Sequence, residues 1–143
     1  MQFKKLSDGF VLRFFSGESL LDKLAEFLEK EKIFSGFFYG IGALEKAELA
    51  HFSFTEKKYL NKVFSEDLEV LNFTGNISLK ESKSFIHSHI VLGKKDFTVI
   101  GGHLISAVVG ATLEVFIQPF SHAIERKKEE KTGLFLLNLE EIK

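Results

Sequence analysis

Residues 84–92 read Ser84-Phe85-Ile86-His87-Ser88-His89-Ile90-Val91-Leu92, and residues 97–108 read Phe97-Thr98-Val99-Ile100-Gly101-Gly102-His103-Leu104-Ile105-Ser106-Ala107-Val108. Both segments are largely apolar and are bounded by short polar turns, which is typical of β-strands. Three of the five histidines of the chain lie within them. These segments therefore predict neighbouring strands that carry a histidine cluster.

The spacing of the three histidines favours a metal site. Residues i and i+2 of a strand point to the same face, with Cα atoms roughly 6.5–7 Å apart. Two such imidazoles can converge on one ion at roughly 2.1 Å each, and a third from the next strand would leave one coordination position open. The chain has no cysteine, so a metal must be held by histidine and carboxylate ligands. We predict that His87, His89 and His103 bind one divalent metal, with zinc as the first choice because neutral imidazoles suit it and three protein ligands leave a position for water. The alternative is that these histidines are ordinary hydrogen-bonded residues of a half-buried sheet face.

Strand register predicts the neighbours of these histidines. A hairpin closed by Lys80–Lys83 pairs Asn76 with His87 and Thr74 with His89, and opposed residues share a face. A four-residue loop at Gly93–Asp96 would instead place His103 on the wrong face, opposite Ile86. One extra residue, in a longer loop or in a bulge at Gly101-Gly102, would correct this.

Outward from this region, the chain predicts one helix and many strands. Leu20, Leu21, Leu24, Phe27 and Leu28 form an apolar stripe on a helix from about Glu18 to Lys32, for which Ser16-Gly17 is the expected N-cap. Asp8-Gly9 is a hairpin-type turn, and the charged run Glu125–Lys131 is expected to be a solvated loop. The other predicted strands are Phe10–Phe15, Ile33–Leu44, Lys46–Phe54, Tyr59–Phe64, Leu68–Leu79, Thr112–Phe120 and Leu134–Leu139. We expect an α+β domain, an antiparallel β-sheet with one main α-helix packed on it.

Composition limits the class of protein. The chain has 143 residues, enough for one domain with a real core, and 45% of them are hydrophobic. The N-terminus lacks the apolar region of a signal peptide, and no run is apolar enough to span a membrane, so we expect a soluble cytoplasmic protein. The net charge is −1 and Arg13 and Arg126 are the two arginines, which argues against strong DNA binding by the isolated chain.

Several motifs in order resemble the plants-and-prokaryotes conserved (PPC) domain. The resemblance rests on the segments 35–44 (SGFFYGIGAL), 68–71 (LEVL), 74–78 (TGNIS), 85–93 (FIHSHIVLG), 101–104 (GGHL) and 113–117 (LEVFI). The glycine-rich segment 35–44 lacks the third glycine of a dinucleotide fingerprint and the Gly-Lys-Ser/Thr of a P-loop. The resemblance extends over nearly the whole chain, so we expect a single PPC-type domain over residues 1–143.

The resemblance implies an α+β fold, a homotrimer and metal ligation by His87, His89 and His103. Prokaryotic members of that family are stand-alone domains described as candidate DNA-binding proteins. In land plants the domain follows AT-hooks with an Arg-Gly-Arg-Pro core, which this chain lacks.

Two functional classes remain open at this point. The chain is a DNA-associated or regulatory module that binds a divalent metal, or it is a zinc-dependent enzyme of the hydrolase or lyase type that uses a metal-bound water. For the enzyme, Glu69, Glu114 and Asn76 are candidates for proton transfer or orientation. Pairing parity places Glu69 on the face opposite Asn76 unless a bulge intervenes.

Overall fold

The structure is a computed structural model, which describes residues 1–139. These residues form one helix and nine strands. Helix α1 spans Leu20–Lys30, and the strands are β1 (Gln2–Lys5), β2 (Phe10–Phe15), β3 (Gly36–Ser53), β4 (Lys58–Phe64), β5 (Leu68–Lys80), β6 (Lys83–Gly93), β7 (Val99–Pro119), β8 (Arg126–Lys128) and β9 (Phe135–Leu137). The architecture is a mostly antiparallel β-sheet with a single short helix, consistent with the α+β prediction.

Helix α1 covers one side of the sheet with its apolar stripe. Leu20, Leu24, Phe27 and Leu28 are buried, as the helical spacing predicted. The predicted N-cap was wrong, because the helix begins after Ser19 and not after Ser16-Gly17. Glu18 instead accepts hydrogen bonds from the amino group of Met1 and from the backbone N–H of Phe15, so it holds the N-terminus and strand β2.

Seven strands form one sheet in the order β1-β2-β7-β6-β5-β3-β4, and β7 also pairs with β3. The strands β3, β5, β6 and β7 therefore form a closed circuit of hydrogen-bonded neighbours. Closure of this kind leaves no free edge within the circuit. The core lies inside it and beneath α1, with the rings of Phe14, Phe38 and Phe73 fully buried.

Strands β3 and β7 are longer than the sequence predicted. Breaks were expected at Glu45 and over residues 109–111, but each strand continues through the expected break. The two strands pair with each other along most of their length, with register shifts between Gly42 and Leu44 and between Glu48 and Leu49. These irregularities allow a long strand to bend while its backbone stays paired, so one strand replaces two predicted ones.

The charged segment Glu125–Lys131 is not simply a solvated loop. Arg126–Lys128 form β8, which pairs with β9 in a separate two-stranded sheet, and the side chain of Arg126 is buried. The backbone N–H of Leu79 donates to the carbonyl oxygen of Ile124 at 2.8 Å, which fixes this hairpin against β5. Within residues 1–139, no helix has the length and apolar character needed to cross a membrane.

Candidate metal centre

The β5–β6 hairpin places two of the three histidines. Lys80 pairs with Lys83, Asn76 with His87 and Thr74 with His89, as predicted. The hairpin register is uninterrupted from Lys80 to Asn72. His87 and His89 therefore share one face of β6 with Asn76 and Thr74 opposite them.

The third histidine reaches the same face because the β6–β7 loop is longer than four residues. Gly93 pairs with Val99 and His89 pairs with His103, so the connecting loop is residues 94–98. Of the two predicted corrections, the longer loop is right, and the β6–β7 register shows no bulge at Gly101-Gly102. Asp96 shapes the loop by accepting hydrogen bonds from the backbone N–H and hydroxyl of Thr98.

The three imidazoles form a compact cluster. Their ring centroids are 5.2 Å apart for His87–His89 and His87–His103, and 5.5 Å apart for His89–His103. One ligand nitrogen from each ring lies within 4.8 Å of the others. Ligand nitrogens of a tetrahedral zinc site are roughly 3.3 Å apart. Small side-chain rotations would therefore bring all three onto one ion.

The electrostatic setting keeps two of these rings neutral. Burial, followed by the charge of Arg126, lowers the pKa of His87 from 6.5 to about 4. Burial also lowers the pKa of His103, with a smaller contribution from His89. Neutral imidazole is the form that binds a metal, so these rings are ready to act as ligands at neutral pH.

An unpaired buried atom supports the fit of a cation. Nδ1 of His103 is buried and has no hydrogen-bond partner among residues 1–139, and the ring of Tyr59 lies 5.3 Å from the ring of His103. A buried polar atom without a partner is costly in a folded protein, and coordination would satisfy it. The donor set of three imidazoles also suits zinc.

Arg126 and Tyr59 are site residues that the sequence analysis missed. Arg126 donates hydrogen bonds to Oδ1 of Asn76 at 2.6 Å and to Oγ of Ser78 at 2.7 Å. The predicted neighbour Asn76 is therefore engaged by Arg126. The one signal in the sequence was an isolated arginine in a Lys/Glu-rich run, which is far weaker than a histidine repeat.

The two predicted glutamates lie away from the histidines. Glu69 pairs with Gly93 at the far end of the β5–β6 hairpin and lines a groove there. A register shift in β5 between Val70 and Asn72 does not bring it to the cluster. Glu114 pairs with Arg13 and lines a groove formed with β1 and β2. The structure thus brings together His87, His89, His103, Asn76 and Thr74 but not the glutamates.

The sequence of this chain matches a known protein family. A sequence model of the Plants and Prokaryotes Conserved (PCC) domain matches residues 1–121, and the chain belongs to that family. The family recognised from the sequence motifs is thereby confirmed. A comparison with curated proteins found no match.

Three solved structures are closely similar. A "metal-containing protein" from Archaeoglobus fulgidus is 41% identical with a TM-score of 0.86, and 96% of this chain and 99% of that one are covered. A "putative DNA-binding protein" from Bacteroides thetaiotaomicron is 30% identical with a TM-score of 0.93, and 96% of each chain is covered. A plant- and prokaryote-conserved (PPC) protein from Pyrococcus horikoshii is 30% identical with a TM-score of 0.86, and 99% of this chain and 97% of that one are covered.

Proposed function

We propose that this chain is a PCC-domain protein that holds one divalent metal, with zinc as the first choice, through His87, His89 and His103. The observation that carries the proposal is the convergence of one nitrogen from each ring within 4.8 Å. The buried and unpartnered Nδ1 of His103 supports it independently. The similar protein from A. fulgidus is described as metal-containing, which agrees with this assignment.

The neighbouring polar residues would orient the ligands. Asn76 and Thr74 lie directly opposite His87 and His89, and Asn76 is itself held by Arg126. Such outer partners fix the rings of metal ligands and tune affinity. When bound, zinc supplies a Lewis acid with one open coordination position.

We further propose a DNA-associated role at the level of the family. Its support is the similar B. thetaiotaomicron protein described as a "putative DNA-binding protein". The net charge of −1 and the two arginines of this chain favour weak intrinsic affinity for duplex DNA. The DNA-associated role would therefore depend on an assembly or a partner that adds basic surface.

An apolar face favours assembly into a homotrimer, the state that the resemblance implies. Phe37, Tyr39 and Ile41 alternate outward on β3 and are 47%, 51% and 59% exposed. Tyr39 stacks on Phe116 of β7 with ring centroids 5.2 Å apart. We call these four residues, together with Phe120, the β3–β7 aromatic face. Contiguous apolar surface of this kind marks an interaction site, and cyclic assembly would bury it.

The enzyme alternative has less support. The zinc enzyme considered above would use Glu69 or Glu114 for proton transfer beside the metal. Among the described residues that line the cavity next to His87 and His103 there is no Asp or Glu. Glu69 and Glu114 line other grooves. We therefore place metal binding ahead of hydrolytic or lyase chemistry.

Zinc titration of the metal-free protein by calorimetry tests the proposal. One zinc should bind per chain, and His87→Ala, His89→Ala and His103→Ala should each lose most of the affinity. His51→Ala and His122→Ala are matched controls, because both residues are exposed and lie outside the cluster. Equal zinc binding by the cluster variants and the controls would refute the proposed ligands.

A further inference from the structure

A cavity of about 280 Å³ lies between the histidine-bearing strands and the β8–β9 hairpin. One wall carries Phe85, His87 and His103, and the hairpin contributes Arg126 and Phe135. No described residue lining it is acidic. Among the described residues, the cavity therefore combines aromatic walls and positive charge without a carboxylate.

Arg126 carries a buried charge that has no counterion among residues 1–139. The residue is 9% exposed, and its three hydrogen bonds go to the neutral oxygens of Asn76, Ser78 and Phe135. The ion pairs found within residues 1–139 do not include Arg126. Burial of a charge is costly unless an opposite charge or strong hydrogen bonds compensate it. Arg126 has no anionic partner among residues 1–139, and burial lowers the pKa of its guanidinium.

The guanidinium still has donors to offer. Arginine carries five N–H groups, and those three hydrogen bonds use one at Nε, one at Nη1 and one at Nη2. One N–H therefore remains on each terminal nitrogen. A planar carboxylate can accept from both nitrogens of such a fork.

A second cation lies on the same cavity. Nζ of Lys80 lies 3.9 Å from the ring centroid of Phe135 and 5.4 Å from that of Phe85. Arg126 also lies over the Phe85 ring, at 5.0 Å. The two cations thus share one aromatic wall, and an anion placed between them would sit against apolar surface.

We propose that this cavity binds a small organic carboxylate with a flat apolar body. Its carboxylate pairs with Arg126 and Lys80, and its body packs against the apolar side chains of Leu134 and Leu136, which line the same cavity. At about 30 Å³ per water molecule the cavity holds about nine waters, so it suits a ligand of about nine non-hydrogen atoms. The site goes beyond the proposed metal function, because its charge and its walls are present without a metal.

Benzoate is a probe of this size, and neutral benzamide is its uncharged counterpart. Metal-free protein is titrated with each and followed by calorimetry and by the backbone amide signals of Phe135 and Lys80. Benzoate should bind with a dissociation constant of about 1 mM, which is ordinary for a ligand this small, and should shift both signals. Benzamide should bind at least tenfold more weakly.

Variants of the two cationic residues test whether these side chains bind the carboxylate of benzoate. Arg126→Lys keeps a charge but removes the fork, and Lys80→Gln removes the second cation from a half-buried position. Each substitution should weaken the affinity for benzoate at least fivefold. The control Arg13→Gln, at the other arginine of the chain, should leave that affinity unchanged. Circular dichroism checks that each variant folds. If Arg126→Lys does not fold, the benzoate affinity of Lys80→Gln alone tests the proposal.

Three outcomes with the metal-free protein would overturn the proposal. They are no benzoate binding at 20 mM, equal binding of benzamide and benzoate, and full benzoate affinity in folded Lys80→Gln or Arg126→Lys. Benzoate binding that requires zinc and is unchanged in both variants would show that the anion binds the metal, and it would also overturn the proposal. Zinc titration in the absence of benzoate separates failure of this site from failure of the metal centre.

Discussion

Gly75→Ala is expected to weaken the fold and the histidine centre together. Gly75 pairs with Ser88 of β6, between the two β6 histidines, and with Phe38 of β3. A Cβ at position 75 would lie closer than 3.0 Å to the carbonyl oxygen of His87 and to the ring of Phe38. The Phe38 ring packs against Phe73 with centroids 4.9 Å apart, so it has little room to move.

The size of the effect follows from these contacts. Ordinary contact begins at 3.4 Å, so the neighbours of position 75 must move by about 1 Å. Overpacking of a dense core costs about 1–3 kcal/mol. For a domain of this size that lowers the Tm by roughly 3–10 °C. Since the backbone of His87 is one of the displaced groups, zinc affinity should fall roughly tenfold as well.

Urea unfolding and zinc calorimetry measure both effects. Gly93→Ala is the matched control, because a Cβ there makes ordinary contacts of 3.5 Å with the side chain of Leu71. Neither glycine has a positive φ, so backbone strain does not enter the comparison. Equal stability and equal zinc affinity of Gly75→Ala and Gly93→Ala would contradict a steric effect of the added methyl group at position 75.

Three further predictions concern pH, assembly and DNA, and a fourth concerns Asn76. The metal-free protein should lose stability as pH falls from 6.5 towards 4. In this pH range His87 is protonated in the unfolded chain but stays neutral in the folded chain, where its pKa is lowered to about 4. Urea unfolding at pH 7 and pH 5 should show a smaller loss of stability in His87→Asn than in the wild type, and an equal loss would contradict the prediction. Light scattering at micromolar concentration should give a trimer mass that Tyr39→Lys reduces, and a wild-type monomer would reject the role of the β3–β7 aromatic face. Fluorescence anisotropy with an AT-rich duplex in about 0.15 M salt should show Kd no tighter than about 10⁻⁴–10⁻⁶ M, whereas nanomolar affinity with steep salt dependence would reveal a clustered basic face. Asn76→Ala should weaken zinc binding roughly 10–100-fold with the fold intact, and unchanged affinity would make Asn76 an ordinary strand residue.

Local patterns were sufficient to predict much of the fold and the site. The apolar stripe of α1 and the register of the β5–β6 hairpin depend on residues close in sequence, and both are confirmed. The face shared by Asn76, Thr74 and the two β6 histidines follows directly from that register. The shared face of His87 and His89 was predictable because their i, i+2 spacing is itself the geometric signal. The position of His103 depended on the length of the β6–β7 loop.

Features set by tertiary contact were not predictable. Phe97 looked like the first residue of a strand, but it lies in the β6–β7 loop with φ of 63° and is 93% exposed. The predicted breaks in β3 and β7 were wrong because each strand is held by its pairing with the other. The sequence predicted that Arg126 lies in a solvated loop. The burial of one charged side chain within a charged segment produces no hydrophobic periodicity in the sequence that could have indicated it. Glu69 and Glu114 lie away from the histidine cluster, and their positions likewise depend on how distant strands pair.

Anomalous diffraction at the zinc edge from crystals of zinc-loaded protein tests the central claim most directly. We predict one anomalous peak per chain, within roughly 2.1 Å of one nitrogen each of His87, His89 and His103. No peak at the three histidines, or a peak only at His51 or His122, would contradict it.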